Sequence, residues 1–397
     1  MQHKLKIGVV GTGFAGECHV RCLRRIYGVD VEIAGVTSRR EASRTAFGRR
    51  HGIPVFDSVE KLLDAVDILD ICSPPYVHED HIVLAAEAGK GIICEKPLTG
   101  FFGPETHDPA YRGDRDDKKN MLTAVTARLE RIAAAVSTNH SFFGYAENFV
   151  YAPGLTKERE ILTKTGAQIL RMTGEESHNG SASPVYGIWQ QAGGGSLIGK
   201  GCHPLGGMLY LKRVEGLVRH GKPIRPRSVS ARTHQITRLP NYRDAGMIRT
   251  DYHDIEDYGF MHITFDDGTV ADVLTSELSL GGIYDYVEIY ANNHRTRCNI
   301  SPSGLMDVYN PRAKQFEDIY LLEKISTTEG WTPASPAEDT TMGYQGELQD
   351  FLTAAAAGTA PQSDLGLALD TTAAVYAAYV SDAARGQETS IPLTWEI

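Results

Sequence analysis

The chain has 397 residues and a formal net charge of −10, from 40 Lys+Arg against 50 Asp+Glu, and 42% of its residues are hydrophobic. That length allows two domains with sizeable cores, and the acidic balance disfavours general nucleic-acid or anionic-membrane binding. No run approaches the ~20 apolar residues of a membrane span. The first residues lack a signal peptide's apolar stretch, and the six scattered cysteines suit a reducing cytoplasm, so a cytoplasmic location is expected.

Taken in chain order, residues 6–10 read as a buried strand, followed by Gly11-Thr12-Gly13-Phe14-Ala15-Gly16 and a helical pattern to about residue 27. A second strand is expected at 31–36. Strand, glycine turn, helix and strand within about thirty residues form the setting a dinucleotide fingerprint needs. In it Gly11 allows the tight turn, Gly13 lets the backbone approach a pyrophosphate, and Gly16 permits close helix–strand packing. The second strand ends in Ser38, Arg39 and Arg40, with no carboxylate until Glu41. A hydroxyl beside guanidinium groups suits a ribose 2′-phosphate, which favours NADP over NAD. The alternation continues with helices at 41–51, 60–65 and 77–88 and strands at 55–56, 68–72 and 91–94, the pattern of a doubly wound parallel sheet.

Residues 99–117 break the rhythm with three glycines, two prolines and four aspartates, and read as a functional or mobile loop. We expect it to cover the site or to contact a neighbouring subunit. Helix resumes near 115 and runs to 136, with a strand expected near 137–139 and a further helix at 152–164. After Gly166 the period changes to two. Strands are expected at 168–175, 228–237, 260–265, 270–278, 286–290 and 296–300, with Asp267-Gly268 as a hairpin turn. One helix at 203–217 interrupts them, and two alanine-rich helices at 344–356 and 365–384 close the chain. The expected architecture is a Rossmann domain over residues 1–140 and an α+β domain with a large, open, mostly antiparallel sheet over 141–397.

Two further segments carry a family signature: Ser73-Pro74-Pro75-Tyr76-Val77-His78 and Gly89-Lys90-Gly91-Ile92-Ile93-Cys94-Glu95-Lys96-Pro97. With the glycine fingerprint, in this order and spacing, they resemble the glucose–fructose oxidoreductase / inositol dehydrogenase / MocA (Gfo/Idh/MocA) family. Gly193-Gly194-Gly195-Ser196-Leu197-Ile198-Gly199-Lys200-Gly201-Cys202-His203 resembles the same family's glycine-rich turn before its catalytic helix. Gly199 stands where the family has an aspartate.

The resemblance implies a nicotinamide-dependent dehydrogenase that moves a hydride between NAD(P) and a secondary alcohol carbon of a sugar, polyol or related cyclic substrate. It places Lys96 beside nicotinamide and the reacting hydroxyl, with Glu95 and Pro97 shaping the turn and Ser73, Pro74 and His78 bordering the cofactor. It also implies a homodimer or homotetramer assembled through the open sheet. The chemistry is consistent: alcohol oxidation needs a base, a lysine at a strand's C-terminal end can polarise the oxygen, and a histidine titrates near neutrality. Lys96 and His203 are therefore the catalytic candidates, and Tyr145, Glu147, Asn148, Glu176, His178 and Lys200 the substrate-binding candidates. Lys200, next to Gly199, would depress the imidazole's pKa, meet an acidic substrate or simply face water.

No metal is expected. Cys202-His203 has no second ligand pair, and the acidic run 251–257 is too crowded to converge on one ion. Two other classes remain open. One is a redox-cycling, glycoside-cleaving or eliminating enzyme with tightly bound NAD, favoured by the missing aspartate. The other is a non-catalytic cofactor-binding regulator.

Overall fold

The computed structural model describes residues 4–104, 110–325 and 327–396. Five parallel strands form the first sheet: β1 (Leu5–Val10), β2 (Val31–Thr37), β3 (Ile68–Ile71), β4 (Gly91–Glu95) and β5 (Phe143–Ala146), in the order β2-β1-β3-β4-β5. β1, β3 and β4 are almost wholly buried, as expected for strands covered on both faces by crossover helices. Those helices are α1 (Phe14–Leu23), α2 (Glu41–His51), α3 (Val59–Leu63), α4 (His78–Glu87) and α5 (Lys118–Thr138). The strand order reverses direction at β1, so a crevice opens at the carboxyl ends of β1 and β3, where such sheets bind ligands.

Two sequence expectations are corrected here. Residues 137–139 are not a strand but the end of α5, whose buried residues Met121, Val125, Leu129, Ile132 and Val136 keep a helical spacing to its last turn. Asp117 caps its start by accepting from the amides of Lys119 and Asn120. The fifth strand follows at Phe143–Ala146 and pairs with β4, so the parallel sheet continues past residue 140.

Helix α6 (Pro153–Thr165) leads to a seven-stranded sheet ordered β11-β10-β6-β9-β8-β7-β14. Its strands are β6 (Ile169–Ser177), β7 (Pro226–His234), β8 (Tyr258–Phe265), β9 (Val270–Ser276), β10 (Tyr284–Ala291), β11 (Arg295–Asn299) and β14 (Thr389–Ser390). All neighbours are antiparallel except β6 and β9. Asp267-Gly268 turns β8 into β9, with Gly268 at φ 83. The short helices α7 (Trp189–Ala192) and α8 (Ser196–Gly199) precede α9 (Cys202–His220) on the covered face. An exposed hairpin of β12 (Met306–Asn310) and β13 (Gly330–Ala334), which the sequence pattern did not suggest, leads to α10 (Glu338–Thr341) and α11 (Tyr344–Ala357).

The last helix, α12 (Leu365–Ala383), is buried from Leu367 to Ser381 and holds the halves together. It packs against β5 and α5 on one side and β7 and α9 on the other. Its alanines permit that close approach, and Tyr376 and Tyr379 supply polar tips that reach the loops between the lobes. Tyr376 Oη accepts from the Phe101 amide at 2.6 Å and donates to the Gly193 carbonyl at 2.5 Å.

The described part of the 99–117 segment docks on the second lobe, and residues 105–109 lie outside the described residues. Asp254 accepts from the Gly113 amide at 2.7 Å and the Trp189 amide at 2.8 Å, and the Trp189 indole donates to the Phe101 carbonyl. A cavity of 440 Å³ beside it is lined by Phe101, Pro104, Tyr111 and Arg115, none of them a candidate catalytic residue. An Asp254→Ala change leaves two buried amides without acceptors. It should lower unfolding free energy by about 3 kcal/mol, read from chemical denaturation. A loss below about 1 kcal/mol would show that this carboxylate does not anchor the segment.

Candidate functional site

The glycine turn sits at the carboxyl end of β1. Gly11 has φ 116, and a Cβ there would lie 2.4 Å from the Cys72 carbonyl oxygen, so only glycine fits. At Gly13 the space in front of the backbone is open, and α1 begins with no side chain capping its amides. Phe14 is exposed, Ala15 is half-buried and Gly16 packs on the Gly11 carbonyl. An open, uncapped helix start suits a dinucleotide's pyrophosphate. Thr12 Oγ1 donates to Ser38 Oγ at 3.2 Å, which brings the end of β2 to this turn. Arg39 and Arg40 beside it are exposed.

The two signature turns are tied to each other. The buried His78 imidazole lies between the Ser73 carbonyl, at 2.7 Å from Nε2, and the Pro97 carbonyl, at 2.9 Å from Nδ1. Ser73 Oγ meets His81, and Pro74 leads into a short turn over Pro75–Val77. Glu95 does not face the pocket freely. One oxygen lies 3.3 Å from His19 Nε2, and the other accepts from the Lys96 amide at 2.9 Å. His19 is fully buried and clasped by both oxygens of Asp70. Burial works against its charge, but Asp70 and Cys72 lift its pKa well above the usual histidine value.

Lys96 crosses to the second lobe, where its Nζ donates to the Gly199 carbonyl at 3.0 Å. The residue that stands where the resemblance expects an aspartate therefore meets the lysine through its backbone. The Tyr186 ring lies 5.9 Å from the same ammonium. Burial opposes that charge, yet Tyr186, Cys202, Glu176 and Glu95 together hold Lys96 above the ordinary lysine pKa, so it stays an ammonium.

His203 begins α9 four residues after Gly199. Its Nδ1 lies 2.7 Å from Glu147 Oε1, its ring stacks on Phe149 at 5.1 Å, and its Nε2 lies 3.8 Å from Glu176 Oε2. Burial, then the charges of Lys96 and Lys200, push its pKa well below the usual value. Burial pushes that of Glu147 well above. The site thus offers a permanent cationic donor beside an imidazole that is neutral at rest.

The other candidates divide. Lys200 is buried in an ion pair with Glu277 at 2.5 Å, and Tyr252 Oη donates to the same carboxylate at 3.0 Å. Lys200 acts on His203 through its charge alone. Glu176 lies in the pocket wall, where burial raises its pKa to about 7. His178 Nδ1 accepts from the Gly180 amide, which serves the loop. Tyr145 is fully buried with no hydrogen-bond partner for its hydroxyl among the described residues. Asn148 turns its amide away to the Met342 carbonyl at 2.7 Å. Glu147, Cys202 and His203 offer ligand atoms within 4.8 Å of one another, but the Glu147–His203 spacing is that of a hydrogen bond.

Three residues escaped the sequence reading. Asp285 was signalled by its register with the inward-facing Val287 and Ile289 of β10. Tyr186 carried no such mark, and Glu256 was read only as part of the acidic run 251–257. Glu256 accepts from the Gly195 amide at 3.1 Å, the Leu197 amide at 2.9 Å and Tyr379 Oη at 2.8 Å, and so holds the glycine-rich turn that leads to Gly199.

Residues 5–108 match the model of an oxidoreductase family with an NAD-binding Rossmann fold, GFO_IDH_MocA. The inositol 2-dehydrogenase of Cereibacter sphaeroides is 35% identical over 95 residues, 24% of this chain and 28% of that enzyme. The D-glucoside 3-dehydrogenase of Escherichia coli K12 is 26% identical over 216 residues, 52% of this chain and 54% of that enzyme. The chain thus spans between a quarter and about half of these relatives. Two solved structures share the fold along nearly the whole chain. GenD2 from gentamicin A biosynthesis, in complex with NAD, has a TM-score of 0.76 at 22% identity and covers 98% of this chain and 97% of its own. Scyllo-inositol dehydrogenase from Lactobacillus casei, with NAD(H) and scyllo-inositol, has a TM-score of 0.71 at 16% identity and covers 98% and 99%. No helix among the described residues is long and apolar enough to cross a membrane.

Burial raises the Glu256 pKa to about 7. The folded state therefore holds its proton more tightly than the unfolded chain. That contribution to stability is complete below about pH 4.3 and is lost as pH rises through 7. Glu256→Gln keeps an acceptor but cannot ionise, so its melting temperature should gain on the wild type between pH 5 and pH 8. A constant offset across that range counters the assignment.

Proposed function

We propose, on the premise that this chain is a Gfo/Idh/MocA oxidoreductase, that it moves a hydride between NADP or NAD and a secondary alcohol carbon of a sugar, polyol or related ring. One observation carries the reading. The Lys96 ammonium, at the carboxyl end of β4, reaches the carbonyl of Gly199, the last residue of α8, just before the helix that bears His203. A donor from the Rossmann lobe and a base from the other lobe thereby share one space.

The residues around Gly11–Gly16 fit a pyrophosphate, and Ser38 and Arg39 fit a ribose 2′-phosphate, which supports a preference for NADP. The cofactor, when bound, supplies the hydride acceptor or donor. In the oxidative direction Lys96 donates a hydrogen bond to the reacting oxygen and favours its developing negative charge. His203 Nε2 takes the hydroxyl proton, while Glu147, hydrogen-bonded at Nδ1, holds the ring in place. Reduction reverses the sequence. A homodimer or homotetramer joined through the exposed face of the seven-stranded sheet belongs to the same reading.

Lys96→Met should lower kcat/KM for the ring substrate by about 10³-fold and leave cofactor affinity within threefold, about 0.7 kcal/mol. Stopped-flow absorbance at the reduced-nicotinamide band reads the first and fluorescence titration the second. Retained turnover would remove Lys96 from the chemistry. Arg39→Ala should weaken NADP(H) by about tenfold and leave NAD(H) unchanged. Equal effects on both would assign the cofactor to NAD.

A further inference from the structure

Glu176 of β6 and Asp285 of β10 stand directly opposite each other in the antiparallel ladder. Such partners present their side chains on one face, and like charges placed so are destabilising. Glu176 is 8% exposed and Asp285 1%. Glu176 Oε2 and Asp285 Oδ1 are both buried with no hydrogen-bond partner among the described residues. Ser301 Oγ accepts from the Asp285 amide at 2.8 Å, which fixes the backbone and leaves the carboxyl to the pocket. Glu176 Oε2 points toward His203 Nε2, at 3.8 Å.

The charged groups around this pair are already matched, apart from one. Lys200 is held by Glu277 at 2.5 Å, Lys324 lies 3.7 Å from Glu323 and donates to the Gly180 carbonyl, and Glu147 is engaged by His203. His178 is held neutral by burial and by the same lysines. Among the described residues Lys96, which also faces Glu95, is the cation left for these two carboxyls. Burial raises Glu176 to about pKa 7, and burial with the Glu176 charge raises Asp285 well above the usual carboxylate value, so the pair holds protons more tightly than free carboxyls do.

We propose that Glu176 and Asp285 form the seat for a protonated amine on the substrate ring, on a carbon next to the one oxidised. An ammonium brings the missing charge and three donors to acceptors that are now empty, whereas a hydroxyl brings one donor and no charge. The 3.8 Å from Glu176 Oε2 to His203 Nε2 sets the amine beside the reacting carbinol. The substrate class is therefore an amino sugar or aminocyclitol, and this rests on the dehydrogenase reading above. An ammonium favours the ionised carboxyls, so its binding releases protons that they hold.

Calorimetry on the NADP-saturated protein at pH 7.5 tests this with two matched pairs: 2-amino-2-deoxy-D-glucose against D-glucose, and aminodeoxy-scyllo-inositol against scyllo-inositol. In at least one pair the amine should bind tenfold or more tightly than its hydroxyl partner. It should release up to one proton, read from heats in buffers of different ionisation enthalpy. Glu176→Gln and Asp285→Asn should each abolish the preference and the release, with cofactor affinity retained and melting temperature at pH 7.5 retained or raised. Equal binding within both pairs, silence from both amines, or a preference that survives both substitutions overturns the proposal. Its failure is distinct from failure of the dehydrogenase reading, which would appear as rings that bind without changing the reduced-nicotinamide absorbance.

Discussion

The candidate site depends on one ammonium kept charged out of water. Removing such a charge from solvent costs several kcal/mol unless partners replace the lost hydration. Among the described residues the hydrogen-bond partner of the Lys96 ammonium is a carbonyl alone, because Gly199 has no side chain to offer. The compensating negative charge comes from farther off, from Glu95 behind it and Glu176 across the pocket. Glu95 serves this purpose because the buried His19, itself clasped by Asp70, holds it in place. A line of alternating charge thus runs from Asp70 through His19 and Glu95 to the ammonium, spanning α1, β3 and β4.

The second lobe solves a related problem with acids spent on backbone amides. The run 251–257 has the composition of a cation site, but each buried carboxylate in it serves a separate turn. Asp254 ties the 99–117 segment to Trp189, Glu256 holds the glycine-rich turn, and Asp257 accepts from the amides of Ile236 and Thr237. A buried amide without an acceptor costs more than a hydrogen bond returns. Loops this close to the interior therefore need such acceptors. The pocket is shaped by this secondary set of acids, which touches no candidate catalytic side chain.

The Rossmann half was legible because its signals are local. The expected helix at 41–51 matches α2, and the glycine turn sits where strand, turn and helix put it. The strand misplaced at 137–139 failed because a four-residue strand, Phe143–Ala146, carries too little pattern to compete with the apolar spacing of α5. Lys96 and His203 were legible as motif positions. What holds them was less so: Glu147 was named for substrate and instead lies against the imidazole, while Asn148 faces α11. The alternation with Val287 and Ile289 marked Asp285 as inward-facing, but its partner Glu176 lies on a strand more than a hundred residues away, and that pairing leaves no local trace in the sequence.

The proposed chemistry and the proposed amine seat share one physical origin. Burial acts oppositely on the two kinds of titrating group, lowering imidazole and raising carboxyl pKa values. In a site where both are enclosed, protons at rest lie on the acids. Glu147 and the Glu176–Asp285 pair then serve as proton stores on either side of His203, one at Nδ1 and one facing Nε2. An aspartate in place of Gly199 would have put a further carboxyl against Lys96 and neutralised its charge locally. Its absence leaves that charge to act on His203 and Glu176 together, and it leaves room beside Tyr186, 3.6 Å from where a Cβ would stand. The acids that answer Lys96 therefore stand on strands, Glu95 on β4 and Glu176 on β6, rather than at residue 199.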